Sequence, residues 1–151
     1  GKILQVVSTT KTDTFSTSST SMVDVTGLSV TITPTAATST ILVSVVTNYG
    51  SASGSQIGNF RLLRDSTPIA IGDAAGSRSQ VFTSTRLNDV AVTIFAGVDY
   101  LDSPATTSVT TYKVQLAVQG GTNYVNRASG DADSSDTGRS VSTITVMEIG
   151  A

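Results

Sequence analysis

Few side chains in this 151-residue sequence have the type and spacing for chemistry. The densest group is Asp131-Ala132-Asp133-Ser134-Ser135-Asp136, three carboxylates within six residues, which could offer oxygens to a hard cation such as Ca²⁺. The spacing departs from the helix–loop–helix calcium pattern, which wants glycine at the sixth position and a closing glutamate at the twelfth. Here Asp136 and Ser142 hold those places. Arg127 and Arg139 flank the run and can neutralise it without a metal, so a solvated or arginine-paired loop is expected and no metal. A second group is Tyr124, Asn126 and Arg127, with Asn123 beside them. An aromatic ring with amide and guanidinium arms is the composition of a carbohydrate contact, and these three are the candidate glycan residues. Tyr49 and Tyr100 also flank turns, where a strand-end tyrosine is equally an ordinary core-edge residue. Glu148, the sole glutamate, has opposite parity to Met147 and Ile149 and is expected on the solvent or interface side of its strand. The other acids, Asp24, Asp65, Asp73, Asp99 and Asp102 among them, fall in predicted turns, where aspartate accepts bonds from nearby backbone amides.

What is missing narrows the chemistry further. Without cysteine or histidine there is no disulfide, thiolate nucleophile, Ser-His-Asp triad or zinc finger. Serine is abundant, but no G-x-S-x-G elbow is present, and Lys2, Lys11 and Lys113 lack an S-x-x-K or K-T-G context. No cofactor-binding loop is found, and the chain is expected not to be an enzyme. Nine Lys and Arg against eleven acids leave a net charge of -2, with no basic run to meet phosphates, so no nucleic acid is expected. Ile3 to Val7 is too short for a signal-peptide core, and Ile41 to Val46 is strand length, so no membrane association is expected.

The elements that would position these residues are strands. Leu28-Ser29-Val30-Thr31-Ile32-Thr33 alternates cleanly, with Leu28, Val30 and Ile32 to one side. Tyr112 to Gln119 repeats the pattern with Tyr112, Val114, Leu116 and Val118 inward. Ile3 to Thr9, Phe60 to Arg64, Val90 to Phe95 and Val141 to Ile149 read as further strands. Serine and threonine number 47, and no window keeps an apolar helical face, so the chain is all-β. Thr40 to Asn48 is apolar on both sides: Ile41, Val43 and Val45 on one, Leu42 and Val46 on the other. One side would face the core and the other a loop or a second subunit, which makes Ile41, Leu42, Val43, Val45 and Val46 the candidate interface residues. Turns are expected at Asp24–Gly27, Pro34–Ala37, Gly50–Gly54, Gly72–Gly76, Asp102–Pro104 and Gly120–Gly121, with a longer loop from Ala128 to Gly138. The expectation is one domain over 1–151, a jelly-roll-like β-sandwich of eight to ten strands.

The order of several segments resembles a β-domain of virion structural proteins in marine tailed phages (cyanophage-like). They are Gly1 to Val7, Lys11 to Ser16, Val23 to Pro34, Gly72 to Arg78, Leu101 to Thr107, Thr111 to Gln115, Tyr124 to Arg127 and Ser142 to Ile149. The resemblance spans nearly the whole chain. It implies a trimeric jelly-roll of the tumour-necrosis-factor kind at the virion surface, with no catalytic residues to carry over. Such domains occur at tail-fibre ends, where a fibre stem would be the partner and host glycans the target. If these 151 residues are the whole gene product there is no room for a stem, and the leading expectation is a homotrimeric capsid decoration protein bound to the major capsid protein; a fragment would favour the fibre tip.

Overall fold

The computed structural model describes residues 1–52 and 56–151, so Ser53 and Gly54 of the turn expected at Gly50–Gly54 lie outside the described residues. Among the described residues there are eleven strands. They are β1 (Ile3–Lys11), β2 (Phe15–Thr17), β3 (Val23–Ile32), β4 (Thr40–Gly50), β5 (Ile57–Arg64) and β6 (Thr67–Ile69). Then follow β7 (Thr83–Arg86), β8 (Ile94–Asp102), β9 (Thr110–Val118), β10 (Asn123–Val125) and β11 (Ser142–Ile149). The count exceeds the expected eight to ten because β2, β6 and β10 are three-residue strands.

All pairings are antiparallel and fall in two sheets. The first runs β1-β11-β4-β8, and the second runs β3-β9-β5, with β6 and β7 sharing the far edge of β5. Along the chain, β1, β4, β8 and β11 belong to one sheet and β3, β5, β7 and β9 to the other. This interleaving of two four-stranded sheets is the jelly-roll arrangement. Short β10 and β2 extend the first sheet where β11 and β1 stop: β4 pairs with β11 through Val46 and with β10 at Tyr49 and Gly50.

The inward sets predicted by alternation meet in the core. Leu28, Val30 and Ile32 of β3, Phe60 and Leu62 of β5, and Tyr112, Val114 and Leu116 of β9 are buried against Ile41, Val43 and Val45 of β4 and Ile144 and Val146 of β11. Ile41, Val43 and Val45 are therefore core residues and are unavailable to a second subunit, which corrects that part of the candidate interface. Only Leu42 and Val46 of the five face outward.

Several predicted boundaries move, two of them for a local reason. The expected turn Asp24–Gly27 is a bulge inside β3, where pairing with β9 shifts between Asp24 and Ser29 and Gly27 takes φ +83°. The expected strand Val90–Phe95 begins only at Ile94, because Asp89 Oδ1 accepts the Ala91 amide at 2.8 Å and holds a turn there.

One close approach shapes the core. The Tyr49 ring, fully buried, packs edge-on to Phe60 with centroids 5.8 Å apart, and its other neighbour is the backbone of Gly58. A Cβ on Gly58 would lie 2.6 Å from the ring. The Tyr49 hydroxyl donates its one proton between two acceptors, Asn123 Oδ1 at 2.8 Å and the Gln56 carbonyl at 3.0 Å, which hold the ring in place. Gly58→Ala is accordingly expected to destabilise the fold by about 1–3 kcal/mol, read from the denaturant midpoint at unchanged m-value.

Candidate functional site

The three glycan candidates do not form an open site. Tyr124 lies in β10, half-buried, and the Arg127 guanidinium carbon sits 4.2 Å from its ring centroid, so one ring face is covered by a cation–π contact. Arg127 is held further by the carbonyls of Ala128 and Ser129 and by Asp131. Asn126 is fully buried. Its Nδ2 donates to the carbonyls of Lys11 and Asp13, each at 2.9 Å, and its Oδ1 accepts from Ser142 Oγ at 2.6 Å. Its backbone amide donates to the Asn48 carbonyl, and its own carbonyl accepts from Ser140. No polar atom of Asn126 is left for a sugar, which corrects its assignment as a glycan contact. Tyr49, with no exposed surface, is likewise a core residue.

In the acidic loop Asp131 is arginine-paired, whereas Asp133 and Asp136 are exposed, so both forms expected for the loop occur in it. Asp131 accepts a bidentate contact from Arg139 and lies 3.4 Å from Arg127. The hydrogen bond from Arg139, with the charge of Arg127 in support, holds the Asp131 carboxyl below the usual carboxylate range. Among the described residues no group of three or more acidic side chains could hold a metal ion.

Glu148 overturns its expected side. Parity separates it from Met147 and Ile149, but the inward set is Ile144, Val146 and Glu148. The carboxylate is fully buried, and Oε1 accepts both the amide and the hydroxyl of Thr35 at 2.7 Å, while Oε2 accepts Gln5 Nε2 at 2.6 Å. Burial alone would push this carboxyl up. The hydrogen bonds from Gln5 and Thr35 outweigh it and hold the group down to about 2. Glu148 thus pins the loop after β3 onto β11 and β1.

A joint that sequence reasoning missed lies in the same register row, on the far side of Ile41 in β4. Asp102, read as a turn residue, is the buried last residue of β8. It accepts two bonds from Arg64 Nη1, at 2.6 and 2.8 Å, and one from the Tyr112 hydroxyl at 2.7 Å. These bonds tie the first sheet to β5 and β9 of the second. Burial and the facing carboxylate push the Tyr112 phenol far above its ordinary range. The sequence pattern put Arg64 at the end of a strand and Asp102 in a turn, with no signal that joined the two. Among the described residues, the polar groups that the fold brings together are joints of this kind, and no nucleophile is set against a base.

What remains accessible is the outer face of the first sheet. Register aligns Val6, Met147, Leu42 and Leu101 in one row across β1, β11, β4 and β8. Val6 and Leu101 are more than half exposed, and Leu4 and Ile149 adjoin the row. The next row is Ser8, Thr145, Ser44 and Asp99, with Ser8 and Thr145 hydroxyls 2.8 Å apart, and the one beyond is Thr10, Thr143, Val46 and Gly97. The outer face of the second sheet differs. There Asp24 bonds Lys113 and Gln115, Thr31 faces Thr111, and the segment after β6 lays the Gln80 carbonyl on Arg61. One face is polar and self-paired, and the other carries an apolar band between hydroxyl rows.

The Glu148 cluster has a signature in pH. A carboxyl with a depressed folded value contributes stability that is complete above about pH 4.5 and is lost as pH falls toward 2. Glu148→Gln is expected to lower stability at pH 7 by about 1–3 kcal/mol, through the donor it sets against Gln5 or Thr35. It is also expected to flatten the fall in stability between pH 4.5 and 2, measured by denaturant unfolding at a series of pH values. An unchanged acid slope would remove Glu148 from this role.

No family profile matches the chain, and no curated protein matches it. Among solved structures, T=1 particles derived from infectious bursal virus align with 95% of this chain and 39% of theirs, at 10% identity and a TM-score of 0.44. The VP2 subviral particle of infectious bursal disease virus aligns with 97% of this chain and 37% of its own, at 13% identity and a TM-score of 0.39. The chain spans less than two fifths of either, and the jelly-roll assignment rests on the strand order itself.

Proposed function

We propose that this chain is a non-catalytic structural component of a virion, and more specifically a capsid decoration protein. In this reading it acts as a homotrimer at the virion surface, bound to the major capsid protein. The observation that carries the reading is the apolar row Val6–Met147–Leu42–Leu101 on an otherwise hydroxyl-rich sheet face. A pre-formed β-surface loses little conformational freedom on docking, and symmetric copies present the same patch several times, so linked weak contacts add. Leu42 and Val46 are the two residues of the candidate interface that this surface retains, and β1 and β11 supply their neighbours. The resemblance to phage virion β-domains points to the same role.

Sedimentation of the purified protein at micromolar concentration should show three chains, or a multiple of three, and Leu42→Asp or Met147→Asp should break the three-fold species. Added to isolated capsid shells, the wild-type protein should bind and raise their resistance to heat. A wild-type monomer would sink the three-fold arrangement, and absence of shell binding would sink decoration.

A second reading, a tail-fibre tip recognising host glycans, is supported by one feature. The half-buried Tyr124 lines a shallow groove with Thr122, Ser129, Gly121 and Ala52. Under that reading Tyr124→Ala abolishes binding to host cells or glycans while leaving the fold intact. Retained glycan binding in that variant would exclude this groove.

A further inference from the structure

Sheet edges differ in how they are protected. The pairing of β1 shifts between Ile3 and Gln5, β3 is interrupted by its bulge at Gly27, and β6 and β7 are only three and four residues long. Bulges and short strands are devices that keep an edge from pairing with another chain. The β8 edge has none of them. It pairs with β4 without a register shift from Ile94 to Asp102, contains no proline or lysine, and has no partner on its other side among the described residues. It also carries two large exposed apolar side chains, Phe95 at 64% and Leu101 at 55%.

We infer that this free edge is a self-docking site: β8 pairs antiparallel with β8 of a second copy of the chain, about a two-fold axis at Val98. The pattern of the strand selects both the occupant and the register. Phe95 and Leu101 lie three residues to either side of Val98, on the outer face with Gly97 and Asp99. With Val98 opposite its own copy, each Phe95 faces the Leu101 of the second copy, and each Asp99 faces a Gly97. Both aromatic–aliphatic pairs are of the kind that stabilises an antiparallel ladder. Centring on Gly97 would set Phe95 against Asp99. Centring on Asp99 would set two carboxylates face to face, which disfavours pairing. A slip that joins odd to even positions would turn one copy's outer face inward. Only the Val98 register satisfies all three conditions, and an isologous contact of this type closes on itself. It also carries the apolar row onward, from Val6, Met147, Leu42 and Leu101 to the Phe95 of the second copy.

The chain has no cysteine, so introduced ones report the register without background. Directly opposed residues in an antiparallel pair have Cβ atoms about 4.5–5.5 Å apart, close enough for a disulfide after small adjustment. In this register like positions 95 and 95 are roughly 20 Å apart, from six residues at about 3.3 Å each. Under mild oxidation a mixture of F95C and L101C chains should form linked dimers, whereas each variant alone should not. V98C alone should link to itself, which keeps the test open if trimming Phe95 and Leu101 weakens the contact. Phe95→Lys should lower the two-fold association at least ~10-fold by placing a charge on the edge. Equal linking by F95C alone, or no linking by either the mixture or V98C, would overturn the proposal. The inference does not rest on the three-fold arrangement: Leu42→Asp should abolish that species and leave V98C cross-linking intact.

Discussion

The first sheet is two half-sheets joined end to end, and one buried asparagine holds the join. Strand β4 runs unbroken from Thr40 to Gly50, but its neighbour changes from β11 to β10 part of the way along, and the edge beyond changes from β1 to β2. At that change the ladder stops, and the carbonyls of Lys11, Asp13 and Asn48 and the hydroxyl of Ser142 need partners. Asn126 supplies them all, and it does so from the left-handed region at φ +67°, a conformation asparagine tolerates better than most residues. An unpaired buried carbonyl or hydroxyl costs on the order of 1–3 kcal/mol, so the continuity of the sheet face depends on this single amide. Without it the four-stranded register that lines up Val6, Met147, Leu42 and Leu101 has no anchor at its far end.

The same residue shows what alternation can and cannot reveal. Period two identified the inward sets of β3 and β9 correctly, because Leu28, Val30, Ile32, Tyr112, Val114 and Leu116 differ sharply from their polar neighbours. It also separated the two sides of β4. It could not say which side of β11 faced inward at Glu148, since the deciding donors, Gln5 and Thr35, are 143 and 113 residues away. Asn126 looked like a surface residue because it stands beside Tyr124 and Arg127, and its acceptors are likewise 115 and 113 residues distant. Polar residues whose burial is made by non-local partners are the ones that a local pattern misplaces. The arginine pairing of Asp131 was legible because its partners are four and eight residues away.

These joints share a chemistry. Glu148 and Asn126 are satisfied by amides and hydroxyls, and Asp102 by one arginine and one phenol. Each lies at a sheet end or a strand change, where the apolar core cannot continue, and each ties together elements distant in sequence. The interior is thereby stabilised without a disulfide or a titrating histidine. Among the described residues, the polar groups most shifted by burial all serve the fold.

That division leaves the outer face of the first sheet as the surface where affinity can reside. Its two margins differ. At β1 the edge is broken by a register shift, whereas at β8 it is straight, unbulged and apolar. A face of hydroxyls and apolar side chains with a single carboxylate, Asp99, gains little from long-range charge, so the proposed association would be governed by packing and by ladder hydrogen bonds. Contacts of that type depend on register more than on field strength, because a one-residue slip exchanges the apolar set for the buried one. Under the proposed docking role the rows across β1, β11, β4 and β8 are the surface to be kept in register, and the buried joints matter because they keep those rows in line.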